Sequence, residues 1–271
     1  MRYIRQLAII NFISYCFAFL ISMLGQTRDI GGYTMGEMSA KYESGITPAA
    51  FTFSIWSVIY TALFLMLIVH LIKAFSEQQQ FVTNQEVFQI GFSFSINQLA
   101  IATWVYTWLN DIPGLSLVLL LVQLFTLYYM AKRLQLLIPQ KGKLSLFITQ
   151  LPLSIYFGWI TIACLANFAA WLVSLGWLAN PAVDLYVSYA LLLTAAVLGT
   201  VTVYFKHNIF YGLIIIWGIY GILMKRFEEA DPYFHSLIYV GAFGIILILL
   251  AIIRSILNYS NTQKRTFLSR K

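Results

Sequence analysis

Pro152-Leu-Ser-Ile-Tyr-Phe-Gly-Trp-Ile-Thr-Ile-Ala-Cys-Leu-Ala-Asn-Phe-Ala-Ala-Trp171 is long and apolar enough to cross a bilayer as one α-helix. Within it Tyr156, Trp159, Ala163, Asn167 and Trp171 are spaced three, four, four and four apart. At 3.6 residues per turn they share an arc of roughly 120° on one helix face. Two indoles and a phenol therefore flank a small residue and a carboxamide. The small residue leaves a gap that a flat apolar molecule or a neighbouring helix can fill. The carboxamide needs a partner, because no water reaches the hydrocarbon core. Spacing alone leaves two readings open, a ligand wall and interhelical packing glued by an amide.

The rest of the chain has the same character. Of its 271 residues, 60% are hydrophobic and 10% charged, and the mean hydropathy is +0.79. Repeated long apolar runs make it an all-α, polytopic integral membrane protein. Eight spans are expected, over about 4–25, 49–73, 87–109, 115–138, 152–175, 183–205, 209–224 and 236–256. The apolar run after Met1-Arg-Tyr-Ile-Arg5 is long for a signal peptide and lacks a small-x-small cleavage site, so it reads as an uncleaved first span. The seventh span is short, roughly 26 Å at 1.5 Å per residue, and crosses only with snorkelling of Lys206 and Lys225. The polar, glycine-rich segment 26–47 reads as an ordinary exposed connection. Pro139-Gln-Lys-Gly-Lys143 reads as a turn.

The net charge of +7 reflects helix ends rather than a nucleic-acid surface, and no nucleic-acid partner is expected. With eight spans, thirteen of the 17 basic residues fall on the amino-terminal side. The positive-inside rule then puts both termini in the cytoplasm, and the plasma membrane is the expected location. The opposite face is acidic, with Asp29, Glu37, Glu43, Asp111, Asp184, Glu228, Glu229 and Asp231.

Catalytic and metal signatures are missing. Nucleophile-elbow, P-loop and zincin motifs do not occur, so hydrolytic or metal-dependent catalysis finds no support. His70, His207 and His235 lie near expected span ends and read as solvated interfacial residues rather than ligands. Cys16 and Cys164 sit in apolar runs and read as packing residues. No carboxylate falls in mid-span, which argues against an ordinary proton or sodium pump.

The Trp171 stripe resembles the fifth helix of the TspO/MBR family, the tryptophan-rich sensory proteins that include the peripheral benzodiazepine receptor. That helix reads roughly P-Y-x-x-W-x-x-F-A-x-x-x-N-x-x-x-W. Here the proline lies three residues further upstream, at Pro152, and Ile162 replaces the aromatic before the alanine. The family's second-helix pattern P-x-W-x-F-x-x-x-W-x-x-x-Y is met by Pro48, Trp56 and Tyr60, with Ala50 and Thr52 at its other aromatic positions. In the third helix, Asn97 matches the family asparagine, Trp104 falls on a phenylalanine and Ala100 replaces a tryptophan. No sterol motif follows the fifth helix.

The resemblance implies a five-helix bundle over residues 1–176, followed by three additional helices over 177–258 and a basic cytoplasmic tail over 259–271. It implies an apolar cavity walled by Trp56, Tyr60, Asn97, Trp104, Tyr156, Trp159, Ala163 and Asn167, closed by the 26–47 loop. It also implies a flat amphipathic ligand of the tetrapyrrole class, porphyrin or haem, that is sensed or transported. Beyond the bilayer and that ligand, a homodimer is open as a partner. The three additional helices motivate the alternative of a small-solute transporter or permease-like partner subunit, with the stripe as packing only.

Overall fold

The computed structural model describes residues 2–76, 82–136, 142–229 and 231–268, with the side chains of the last helix described as far as residue 258. Most of the expected turn at 139–143, and the side chains of the basic tail 259–271, lie outside the described residues. All regular structure among the described residues is helical: α1 (Arg2–Gln26), α2 (Met35–Lys41), α3 (Ile55–Phe75), α4 (Val82–Ile90), α5 (Ser93–Leu109), α6 (Pro113–Leu134), α7 (Gly142–Ser145), α8 (Leu151–Ser174), α9 (Pro181–Lys206), α10 (Ile209–Glu229) and α11 (Ser236–Leu268). A 3₁₀ turn, Ala50–Ser54, leads into α3, and a π turn, Leu146–Gln150, joins α7 to α8.

Seven of the helical segments are long and apolar enough to cross a membrane. The chain is a multi-pass helical membrane protein. The span expected over 87–109 is divided: Gly91 takes φ +54, α4 ends there, and the 17-residue α5 continues inside the bundle between α1 and α6. The span expected to be short is not short. α10 runs on through Lys225 and Arg226 to Glu229, 21 residues or roughly 31 Å at 1.5 Å per residue. Both cations pair with Glu43 and Glu229, so neither has to snorkel away from the helix axis.

Local chemistry sets the ends. Thr34 and Glu37 form a reciprocal capping box that starts α2 in the loop after α1. Pro113 and Pro181 occupy first-turn positions, where a missing N–H costs nothing, and Asn180 accepts the Ala182 N–H. His207 in the left-handed region closes α9, and Asn208 then accepts the Tyr211 N–H to open α10.

The stripe helix α8 is the hub, packed against α6 on one side and α10 on the other. Lipid is as apolar as any side chain, so helices in it associate through close packing of small residues. At the α8–α10 crossing, a Cβ at Gly218 would sit 2.7 Å from Ile162 Cγ1, and one at Gly158 would sit 3.0 Å from the Tyr211 carbonyl. Large apolar side chains such as Phe125, Val197 and Leu250 are exposed around the outside, as a lipid-facing surface requires.

The polar and thiol side chains near the span ends and in the helices take unequal places. His70 is 2% exposed, not solvated; its Nε2 lies 2.9 Å from Thr149 Oγ1 in the π turn that covers it. Glu86 is a buried carboxylate on α4, accepting from the Ser145 and Thr149 hydroxyls. Cys164 packs in the core, whereas Cys16 is exposed on α1.

Candidate functional site

Trp56 is the centre of an aromatic cluster. Its ring stacks on Tyr60 at 5.4 Å, lies 6.2 Å from Trp104 and meets Trp159 nearly edge-on at 6.1 Å and 84°. Trp104 stacks on Trp108 one turn further along α5, and Phe53 from the 3₁₀ turn packs edge-on against Trp159. A cavity of about 40 Å³ lies among these rings, lined also by Ile162, Ala163, Ala166, Asn167 and Ala170 of α8. Its polar groups are incompletely used. Trp104 Nε1, Trp159 Nε1 and Asn167 Oδ1 are buried with no hydrogen-bond partner among the described residues. A buried amide or indole left unpaired costs about 1–3 kcal/mol, so two donors and an acceptor on cavity-lining residues are groups that a water or another guest would satisfy.

The eight expected wall residues separate into two groups. Trp56, Trp104, Trp159, Ala163 and Asn167 line the cavity, and Tyr60 adjoins it across Trp56. Asn97 and Tyr156 line neither this cavity nor the groove beside it. The Tyr156 hydroxyl donates to Asn97 Oδ1 at 2.7 Å, and Asn97 donates to the Gln123 carbonyl and to Thr126 Oγ1. This amide-phenol knot, fully buried, binds α5, α6 and α8 together. Gln98 donates to Asn97 within it, the structural bonding expected of that residue. Trp171, the last member of the stripe, packs at Gly114 and Phe168 instead of the cavity.

The loop after α1 forms the cavity's outer side. Ser39, Tyr42, Thr47 and Pro48 line it, and residues 44–49 are buried, not exposed as an ordinary connection would be. Two sets of bonds fasten this roof. Lys41 and Tyr42 both bond Asp111 in the α5–α6 turn, the lysine at 2.6 Å. On the other side Glu43 pairs with Lys225 and Arg226, each at 3.2 Å, and the Gly45 N–H bridges both Asp184 oxygens at 3.0 and 3.1 Å. The Ala49 N–H reaches the Gly221 carbonyl at 3.0 Å, and Trp217 Nε1 donates to the Thr52 carbonyl at 3.0 Å. Asp184 and Arg226, expected on the acidic outer face and at a span end, are instead buried struts.

A family profile described as TSPO-like protein matches residues 8–254. The chain belongs to the TSPO-like protein family. The match runs past residue 176 through α9 and α10 and into α11 as far as residue 254. Among curated proteins and among solved structures, none matches this TSPO-like chain.

Beside the cavity this TSPO-like protein carries a much larger space, a groove of about 920 Å³ between α1 and α3. Tyr15, Cys16, Phe19 and Met23 form its α1 wall; Ser57, Tyr60 and Thr61 form its α3 wall, with Ser54 of the 3₁₀ turn at its end. Phe53, Trp56 and Trp104 line both spaces and are the partition between them. The Tyr60 hydroxyl and Ser22 Oγ share a hydrogen bond at 2.5 Å, and Tyr15 donates to the Tyr60 carbonyl at 2.8 Å, so the groove's floor is polar but satisfied.

Several lining residues escaped the motif reading. Trp108 was within reach, being four residues after Trp104 on the same face. Phe53 takes the place of the aromatics missing at Ala50 and Thr52, because the 3₁₀ turn rotates it inward while Phe51 faces out against Trp217. Nothing local in the sequence marks Ser39, Tyr42 or Thr47.

Proposed function

We propose that this membrane protein binds a flat amphipathic molecule of the tetrapyrrole class at the Trp56–Trp104–Trp159 cluster and acts as its sensor or transporter. The observation that carries the reading is the set of unpartnered groups on an aromatic-walled space: the Trp104 and Trp159 N–H and the Asn167 carbonyl oxygen. Indole faces stack a planar guest, and a few unpaired polar atoms orient it. The cavity's 40 Å³ holds about one water and no larger ligand. Binding therefore needs the Phe53–Trp56–Trp104 partition to move, which joins the cavity to the 920 Å³ groove, a volume within the roughly 300–1,000 Å³ typical of ligand pockets. Neither space is lined by a charged side chain, which suits a guest whose charged groups stay at its edge. Charge placement supports cytoplasmic termini in the plasma membrane.

Quenching of tryptophan fluorescence by protoporphyrin IX tests the reading. Saturable quenching is expected in the wild type and is lost in Ala163→Phe, whose ring fills the cavity while the protein still elutes as a single species. Quenching that does not saturate, or that ignores the substitution, returns the stripe to helix packing.

A further inference from the structure

We infer that the cavity is reached sideways from the bilayer, between α1 and α3, and not from water through the outer loop. The inference rests on the aromatic cavity as the binding site and names its ligand class: molecules already dissolved in membrane hydrocarbon.

Two sides of the cavity lead outward, and they are built differently. The loop side is fastened by ion pairs and charge-assisted hydrogen bonds. Glu43 meets Lys225 and Arg226, Gly45 is held by both oxygens of Asp184, and the Ala49 N–H is held by Gly221. Opening it would break the Glu43 ion pairs and the bonds from the Gly45 N–H, leaving the 4% exposed Arg226 with Glu229 alone and the buried Asp184 carboxylate with Ser188 alone. It would also expose residues 44–49 together. The groove side has no such ties. Between groove and cavity stand only the rings of Phe53, Trp56 and Trp104. Rotating Trp56 trades stacking on Tyr60 for stacking on a guest and breaks no ion pair.

The outer rim of the groove shows where it opens. Leu20, Met23 and Phe64 are 56%, 42% and 43% exposed on α1 and α3, two spans whose free faces meet lipid. The groove wall carries Ser54 at the end of the 3₁₀ turn and Ser57 and Thr61 on α3, small side chains at one-turn spacing. They leave a slot along the helix, where larger side chains would close it. The slot is apolar enough to admit a hydrocarbon-dissolved molecule, and its hydroxyls let a polar edge slide past.

Thiol accessibility tests the route without any ligand, so its outcome is separate from that of porphyrin binding. In liposomes, with Cys16→Ser and Cys164→Ala removing the native thiols, Ala163→Cys is exposed either to uncharged N-phenylmaleimide or to a charged trimethylammonium methanethiosulfonate. Tyr33→Cys, on the exposed loop, calibrates both reagents. The maleimide is expected to modify the cavity thiol and the charged reagent to spare it. Ser57→Trp, filling the slot from an exposed position, should slow the maleimide about tenfold or more. Glu43→Gln, loosening the loop side, should leave the rate unchanged. Thr61→Trp repeats the block if Ser57→Trp elutes poorly. The inference is overturned if the charged reagent modifies Ala163→Cys as fast as Tyr33→Cys, if Glu43→Gln speeds modification while both groove blocks do nothing, or if neither reagent reaches the thiol. Loss of porphyrin quenching with the accessibility pattern intact would refute the ligand class alone.

Discussion

Replacing Gly221 by alanine strikes the contact through which α10 holds the roof. A Cβ there would lie 2.1 Å from Thr52 Oγ1, 2.7 Å from its Cγ2 and 2.9 Å from its Cβ. Thr52 is fully buried, and its branched side chain has no rotamer that removes all three atoms, so the 3₁₀ turn has to lift. Overpacking of this kind costs about 1–3 kcal/mol. Lifting the turn also weakens the bond from the Ala49 N–H to the Gly221 carbonyl, a further loss of roughly 0.5–1.5 kcal/mol. Alanine returns about 0.8–1.0 kcal/mol through its better helix propensity. The net destabilisation is therefore about 1–3 kcal/mol, a fall in Tm of roughly 2–6 °C for a chain of this size. Thermal unfolding in mild detergent measures it. Two controls sharpen the result. Gly36→Ala in α2, where a Cβ meets nothing within 4 Å, should be neutral or stabilising. Thr52→Ala, which removes a buried hydroxyl with no described partner, should restore most of the stability lost in Gly221→Ala. A Gly221→Ala protein as stable as wild type, or one that Thr52→Ala does not rescue, would refute close contact between α10 and the roof.

Other outcomes follow from the same bonds. Asp184→Ala should leave the Gly45 N–H unpaired at about 1–3 kcal/mol, read as faster amide hydrogen exchange over residues 44–47, with Asp184→Asn milder. Tyr156→Phe should destabilise the α5–α6–α8 knot by about 0.5–1.5 kcal/mol in the same melting assay yet leave the protoporphyrin IX affinity nearly unchanged, since Tyr156 lines neither space. The roof should also loosen at both ends of the pH range. Burial raises the Glu43 carboxyl, but hydrogen bonds from Glu229, Lys225 and Arg226 outweigh it and hold it below the ordinary glutamate value; Lys41 and Tyr42 likewise hold Asp111 down. A depressed folded value stabilises above the unfolded pKa, and that contribution disappears as pH falls through the folded one. Burial, with Asp111 beside it, pushes the Tyr42 phenol up to about 12, so its contribution is complete below pH 10 and fades as pH rises through 12. Hydrogen exchange of residues 35–47, corrected for its intrinsic pH dependence, should show least protection at the extremes; flat protection across the carboxylate range would count against the latch.

Membrane insertion, the all-helical class and the aromatic stripe were legible in the chain because each depends on a local pattern, whereas the eighth expected span, 87–109, is divided at Gly91. Apolar runs of bilayer length read themselves, and Trp159, Ala163 and Asn167 share a face by spacing alone. Thus α8 presents those three residues to the cavity, as their periodicity demanded. Asn97 was legible as a residue needing a partner, but not as one whose partner would be Tyr156. His70 misled, and Glu86 drew no reading, for a different reason. Each stands near a span end, where charge is normally solvated, and only the π turn at 146–150, arriving from a distant part of the chain, covers them.

What the sequence determined by itself is therefore the solvent each segment chooses, since transfer into hydrocarbon is decided residue by residue. What the tertiary structure alone decided is which polar groups find partners and which are left over. Asp184 and Gly45 are 139 positions apart, and Glu43 and Arg226 are 183 apart. No periodicity links such pairs; they meet because α8 and α10 pack closely at Gly158 and Gly218, which brings α9 and α10 against the loop. The same packing leaves the Trp104 and Trp159 N–H groups and the Asn167 oxygen without partners around one cavity, beside a slot between α1 and α3. Unsatisfied polarity is a property of assembled surroundings, and so the candidate site exists only once the helices are in contact.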